Sequence, residues 1–293
     1  MKKLGLVLIL FIFILTACGS DEDVIKIGSK NFTESLILGE MYALKLEEAG
    51  YEVERNLNLG GTMIAHESLR SGEIDMYPEY TGTGLINILE MEPDSDQQAV
   101  YEAVASAYEE EFDLFWLEPT NANNSQGLVT TAEIAEQYDL YTISRLQEVA
   151  SELRLASVPE FEEREDGLIG LEQAYGEMNF ASIDLYDYGI KYQVILNGEA
   201  DVTVGFTTDG DLTSDELVLL EDDGQFWPPY YVAPVVYGET LKKQPEIEAL
   251  FNEVSALLDN EVLQQLNAEV DIEGREYAEV AKEFLEKNGS SFE

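Results

Sequence analysis

Leu69-Arg70-Ser71-Gly72-Glu73-Ile74-Asp75 and Ile195-Leu196-Asn197-Gly198-Glu199-Ala200-Asp201 follow one pattern: a helix end, a glycine stop, an acidic residue, then an apolar strand. Five residues beyond each aspartate stands an aromatic, Tyr80 in Tyr80-Thr81-Gly82-Thr83 and Phe206 in Phe206-Thr207-Thr208-Asp209-Gly210. Chance produces such a pair as readily as duplication does, because the unit is common. Either origin has the same structural meaning. Ligands of open α/β sheets bind beyond the carboxyl ends of strands, so each half offers an aromatic, hydroxyl-bearing loop where a ligand sits.

Outward from this pair the chain alternates strand and helix. Val24 to Gly28 reads as the first strand, and Asn31-Phe32-Thr33-Glu34 offers a polar cap for a helix from Thr33 to Glu48 that stops at Gly50. Tyr51 to Leu57 reads as a strand, Gly60-Gly61-Thr62 as a turn into a helix ending near Ser71-Gly72, and Ile74 to Tyr77 as a third strand. This order predicts an α/β protein with mostly parallel sheets flanked by helices. Two polar or proline-bearing stretches, Glu118 to Gly127 and Gly224 to Tyr231, are candidate crossings between the halves. They predict one lobe over residues 24–125 plus 230–293, a second over 126–229, and a hinged ligand cleft between them.

Residues 1–17 read as a secretory leader: Lys2 and Lys3 precede an apolar run from Leu4 to Leu15 that is short for a membrane span. Leu15-Thr16-Ala17-Cys18-Gly19 then looks like a lipobox, with Cys18, the only cysteine, as the lipidated first residue and 18–23 as the tether. A plain secretory signal with an incidental cysteine is the blander alternative. The expected location is the outer face of a bacterial cell membrane. Asp and Glu number 60 against 16 Lys and Arg, a formal charge of −44, which repels nucleic acid and anionic lipid surfaces. The acids spread along whole segments and describe a solvated surface more than a site.

Signatures of catalysis are missing. The chain has no Gly-rich phosphate loop ending in Lys-Ser or Lys-Thr, no His-Glu-x-x-His and no Gly-x-Ser-x-Gly, and its one histidine, His66, lies within a helix. No enzyme activity, cofactor or metal is expected, although a hydrolase working with carboxylates alone stands as another class. Aromatics in turn chemistry carry more: Pro78 to Thr83, Gly205-Phe206-Thr207 and Phe226 to Tyr231. Rings on polar loops have no core to fill and so suit a pocket, and rings around a diffuse cation are how proteins hold quaternary ammonium groups. Lys30 and Arg164 are conspicuous among so few basic residues; each either balances local charge or clamps a ligand carboxylate.

Together, Gly28-Ser29-Lys30-Asn31-Phe32-Thr33-Glu34, Leu59-Gly60-Gly61-Thr62, Gly72 to Asp75 through Pro78 to Thr83, Pro159-Glu160-Phe161, Asp166-Gly167-Leu168, Thr208-Asp209-Gly210 and Pro228-Pro229-Tyr230-Tyr231 carry a resemblance. The chain resembles the osmoprotectant-binding lipoproteins of glycine betaine, carnitine and choline ABC importers. The resemblance implies a two-lobe, periplasmic-binding-protein-like fold of type II, a monomer that delivers ligand to a membrane permease with its ATPase. It also implies a site in which Tyr80 and Tyr230 cage the cation while Lys30, Thr83 and Arg164 hold a carboxylate. Two motifs depart from the family pattern. Asn123-Asn124-Ser125-Gln126 stands where Asn-Asp-Thr-Tyr is frequent, placing Asn124 for an acid and Gln126 for a ring, and Phe206 stands for a tyrosine. The expectation is a cage of three rings with an amide wall. Such a cage suits a betaine with its own hydrogen-bonding group, carnitine or a histidine betaine such as ergothioneine, or another small zwitterion such as an amino acid.

Overall fold

In the computed structural model, which describes residues 24–292, Gly72 and Gly198 take nearly the same left-handed backbone, φ 73° and 72°. A side chain there is strained, so glycine ends both helices. The hydrogen bonds around them repeat too. Gly72 N–H donates to Leu69 O and Gly198 N–H to Ile195 O, both at 3.0 Å, and the next amides, of Glu73 and Glu199, donate to Ser68 O and Val194 O. Each following aspartate then ties its strand to a neighbour: Asp75 Oδ2 accepts the Lys26 amide and Asp201 Oδ2 the Arg154 amide, both at 2.8 Å. The secretory leader, Cys18 and the tether lie outside the described residues.

The repeat extends to whole sheets. The first is built from β1 (Val24–Gly28), β2 (Glu52–Asn56), β3 (Met76–Tyr80), β4 (Leu114–Trp116) and β10 (Val232–Tyr237), in the order β2-β1-β3-β10-β4. The second holds β5 (Gln126–Thr131), β6 (Arg154–Ser157), β7 (Ser182–Leu185), β8 (Val202–Phe206) and β9 (Leu217–Leu219), in the order β7-β6-β8-β5-β9. In each, one strand runs against the rest, β10 in the first and β5 in the second. These are the strands that open each return of the chain: it leaves the first sheet after Trp116, enters the second at Gln126, leaves that after Leu219 and re-enters the first at Val232. The two passages lie side by side, with Asn123 and Tyr231 paired antiparallel and Asn124 N–H donating to Tyr230 O at 3.0 Å.

Helix α1 (Thr33–Glu48) buries Ile37, Leu38, Met41, Tyr42 and Leu46 against β1, β2 and the C-terminal helices Ile247–Ser255, Asn260–Asp271 and Tyr277–Lys287. The expected polar cap is not made; Phe32 occupies the cap position without a side-chain bond, and Glu34 turns elsewhere. Helix α2 (Thr62–Arg70) buries His66 edge-on against Tyr108 and Phe112. Burial holds that imidazole below its usual range, so it packs as a neutral ring. The third strand differs from its predicted extent. It continues through Pro78-Glu79-Tyr80 and is buried along its length, because β10 pairs with it residue for residue from Met76 to Tyr80.

Candidate functional site

Tyr80 ends β3 and Phe206 ends β8, so the two echoed units bring their aromatics together at the carboxyl ends of both sheets. Between them lies a small cavity of about 30 Å³, lined by Lys30, Tyr80, Thr83, Asn124, Gln126, Arg164, Phe206 and Tyr230, the residues singled out from the sequence, and also by Phe32, Glu160 and Tyr188. Phe32 comes from the loop before α1 and Tyr188 from a single turn, Tyr188–Ile190. They close a cluster of rings: Phe32 lies 6.0 Å from both Tyr80 and Tyr188 and stacks at 6.4 Å on Phe206, and Tyr188 lies 6.1 Å from Phe206. The expectation of three rings is therefore corrected. With Tyr230, five aromatics face this cavity.

The picture of rings on loops with no core to fill is also corrected. Tyr80 and Tyr230 are 4 % and 1 % exposed and belong to the main apolar core. Their hydroxyls are spent on carboxylates. Tyr80 OH donates to Glu34 Oε1 at 2.8 Å, and Tyr230 OH to Asp166 Oδ2 at 2.5 Å. Glu34 also accepts from Asn124 Nδ2 at 2.7 Å and from Asn267 Nδ2 at 3.1 Å. Burial pushes its pKa up, and these hydrogen bonds oppose that. Gln126 Nε2 reaches Tyr230 OH and Asp166 O at 3.5 and 3.4 Å, long contacts that make it a soft amide wall.

Neither cation of the expected clamp is unpartnered. Lys30, 2 % exposed, places its ammonium 2.6 Å from Glu79 Oε1 and 3.1 Å from Thr62 Oγ1, and 5.3 Å from the Tyr80 ring centre. Glu79 is fully buried and takes further bonds from Tyr77 OH and the Tyr80 amide. Arg164 forks onto Asp166, Nε to Oδ1 at 2.7 Å and Nη2 to Oδ2 at 2.6 Å, and reaches Thr83 Oγ1 at 3.1 Å. Although burial pushes Asp166 up, the Arg164 charge more than reverses this and holds the carboxyl below its usual range. Arg164 Nη1 stands 3.9 Å from Glu160 Oε2. The cavity lining thus holds two cations, Lys30 and Arg164, each paired with a buried carboxylate behind it, and one carboxylate of its own, Glu160.

The sequence held a signal for the missed residues Phe32 and Tyr188, each an aromatic beside a polar turn. It held none for Glu34, Glu79, Glu160 and Asp166, which look like any other acid of this chain until the fold turns them inward. Behind the rings lies a larger cavity of about 200 Å³ bordered by Glu34, Lys191, Asp209, Asp211 and Asp271. Lys191 pairs with Asp209 at 2.6 Å and sits 4.6 Å from the centre of the Phe206 ring.

Residues 23–287 match the model of the substrate-binding domain of ABC-type glycine betaine transport systems. The chain belongs to this family. Within the betaine-transport binding family it is 34 % identical over 273 residues to a carnitine transport binding protein, OpuCC, of Listeria monocytogenes, covering 92 % of this chain and 88 % of that one. It is 35 % identical over 277 residues to a glycine-betaine-binding protein of Pseudomonas aeruginosa, covering 91 % and 88 %. A solved structure, described as a glycine betaine/carnitine/choline ABC transporter, superposes with a TM-score of 0.73 at 30 % identity over 90 % of this chain and 98 % of that one. The two sheets flanked by helices are the α/β architecture expected from the alternating strands and helices, and the fold is the type II periplasmic-binding-protein fold that the resemblance implied.

Proposed function

We propose that the chain is the lipid-anchored, extracytoplasmic substrate-binding protein of an ABC importer, and that it captures a small quaternary ammonium compound of the betaine and choline class. The observation that carries this reading is the set of five rings, Phe32, Tyr80, Tyr188, Phe206 and Tyr230, around one cavity in which the charges of Lys30 and Arg164 are already paired with buried carboxylates. A trimethylammonium group has no N–H to offer, so ring faces and nearby negative charge are what can hold it, each ring contributing roughly 0.5–2 kcal/mol. Asn124 and Gln126 supply the amide wall, Asn124 by steadying Glu34. Lys30, Thr83 and Arg164 mark the end at which a ligand carboxylate would lie.

In this reading the lobes are residues 24–125 plus 230–293 and residues 126–229, and they close on the ligand to present one surface to the permease. Cys18 carries the lipid, the protein works as a monomer, and it performs no chemistry on its ligand. Among the described residues no helix is long and apolar enough to cross a membrane. The test is calorimetric titration with glycine betaine, carnitine, choline, ergothioneine and a free amino acid. Quaternary ammonium compounds are expected to bind and to be recovered unaltered. Binding of the amino acid alone, or turnover of any ligand, would sink the reading.

A further inference from the structure

The ring-lined cavity adjoins a much larger one. Glu160, Arg164 and Tyr188 line both, and the second has a volume of about 1060 Å³. The helical stretch from Thr81 to Ile88 leads from one to the other: Thr83 lines the ring cavity, and Ile86 and Asn87, in the wider π-helical part Gly84–Ile88, line the larger space. The halves of the molecule already touch at the join. Thr62 N–H, at the start of α2, donates to Glu160 Oε1 at 2.7 Å, and Arg164 Nη2 donates to Thr83 Oγ1 at 3.1 Å. The larger cavity is present with these contacts made, so their formation does not remove it. Pockets of this size hold molecules well beyond a choline or a simple betaine.

The lining is of two kinds. Met63, Ile64 and Met91 are 56 %, 55 % and 41 % exposed, and they lie outside the motifs that carry the family resemblance. Large apolar side chains grouped beside a ligand cavity, on a surface otherwise crowded with acids, offer a place to bury an apolar group. Around them Glu90, Glu92, Glu163, Glu165 and Asp187 stand exposed, and among the described residues Arg164, held by Asp166, is the only cation of the lining. That field repels a free carboxylate or phosphate.

We propose that the larger cavity is a second part of the binding site that takes an uncharged apolar chain attached to a quaternary ammonium head, so that acyl esters of choline or carnitine bind more tightly than their parent compounds. The head stays among the rings. The chain leaves them past Thr83 and Arg164 and lies along Met63, Ile64 and Met91. This inference rests on the quaternary ammonium reading.

The experiment is calorimetric titration of the full chain with two pairs, choline with hexanoylcholine and carnitine with hexanoylcarnitine, and with monosuccinylcholine, whose chain ends in a carboxylate. Each buried methylene strengthens binding about fourfold, so a hexanoyl chain buried only in part gives a gain of at least tenfold over the parent. The parent compound is expected to displace its hexanoyl ester, and monosuccinylcholine to gain nothing over choline. Combining Met63→Ser with Met91→Ser should cut the ratio of ester to parent affinity at least threefold, and Met63→Leu with Met91→Leu should keep it; both residues are exposed, so neither pair threatens the fold. A parent that binds while its hexanoyl ester binds no better, a ratio untouched by the serine pair, or a gain for monosuccinylcholine equal to that for hexanoylcholine overturns the proposal and leaves the ammonium reading standing. Failure of choline, carnitine and their esters alike to bind overturns the ammonium reading and this inference with it.

Discussion

Tyr80 and Arg164 show how a residue can be placed in a site and still have most of its bonding taken by the protein. Because Tyr80 is buried in the core, truncation to alanine would open a cavity as well as remove a ring, and the two effects would be confounded. Tyr80→Phe separates them. It keeps the ring and takes from Glu34 one of its donors. Titration of Tyr80→Phe is expected to show a loss of less than tenfold in affinity, whereas Tyr80→Leu, which fills the space without a quadrupole, loses tenfold or more, about 1.4 kcal/mol. For Arg164 the structure predicts a stability defect first. Arg164→Ala leaves Asp166 buried without its cation, at a cost of about 3–5 kcal/mol, and adding Asp166→Asn should restore much of the melting temperature. A double variant no more stable than Arg164→Ala would contradict the pairing. Arg164 was legible in the sequence as a conspicuous cation. Its partner was not, because among 60 acids nothing local distinguishes Asp166 from Glu163 or Glu165.

The elements that the sequence made legible are those whose signals are local. The glycine stops at Gly72 and Gly198, and the aspartates after them, need only neighbouring residues to act, and the strands, helix ends and aromatics they organise follow from them. The reversed strands β5 and β10 carry no such mark. Their direction depends on where the chain re-enters a sheet, which is a property of distant segments. For the same reason the length of β3 was underestimated: Pro78 reads as a turn residue until β10 is seen pairing beside it. One element makes a pH-dependent prediction. The turn Gly210–Thr213 packs on the helix Asn260–Asp271, bringing Asp209, Asp211 and Asp271 around one cavity. Burial, then Asp209 and Asp271, push Asp211 up to about 6. A raised acid binds its proton more tightly folded than unfolded, so its contribution is fully present below the unfolded pKa and stability falls as pH rises from about 4 to 6. Asp211→Asn should therefore melt higher than wild type at pH 7, by about 1 kcal/mol after allowance for solvent screening, with the two curves converging near pH 4. A difference that grew toward low pH would refute the assignment.

For the whole molecule, the proposed reading makes anchoring and capture separable. Cys18 precedes the first strand by a short polar stretch, so Cys18→Ser should release the protein from washed membranes while calorimetry returns an unchanged affinity. Retention of the variant in membranes lacking the importer would contradict the lipid anchor. The arrangement of the two passages has a mechanical consequence. Asn123 pairs with Tyr231, and their neighbours Asn124 and Tyr230 line the ring-walled cavity, so in the proposed reading a ligand would lie next to the axis about which the halves turn. In a lever, travel grows with distance from the fulcrum. A bound solute at the fulcrum experiences little sliding as the arms swing, and its fit to the rings is nearly decided before they meet. The outer rims would travel farthest, so a small adjustment at Tyr230 would become, under the proposed closure, a larger displacement at the surface offered to the permease.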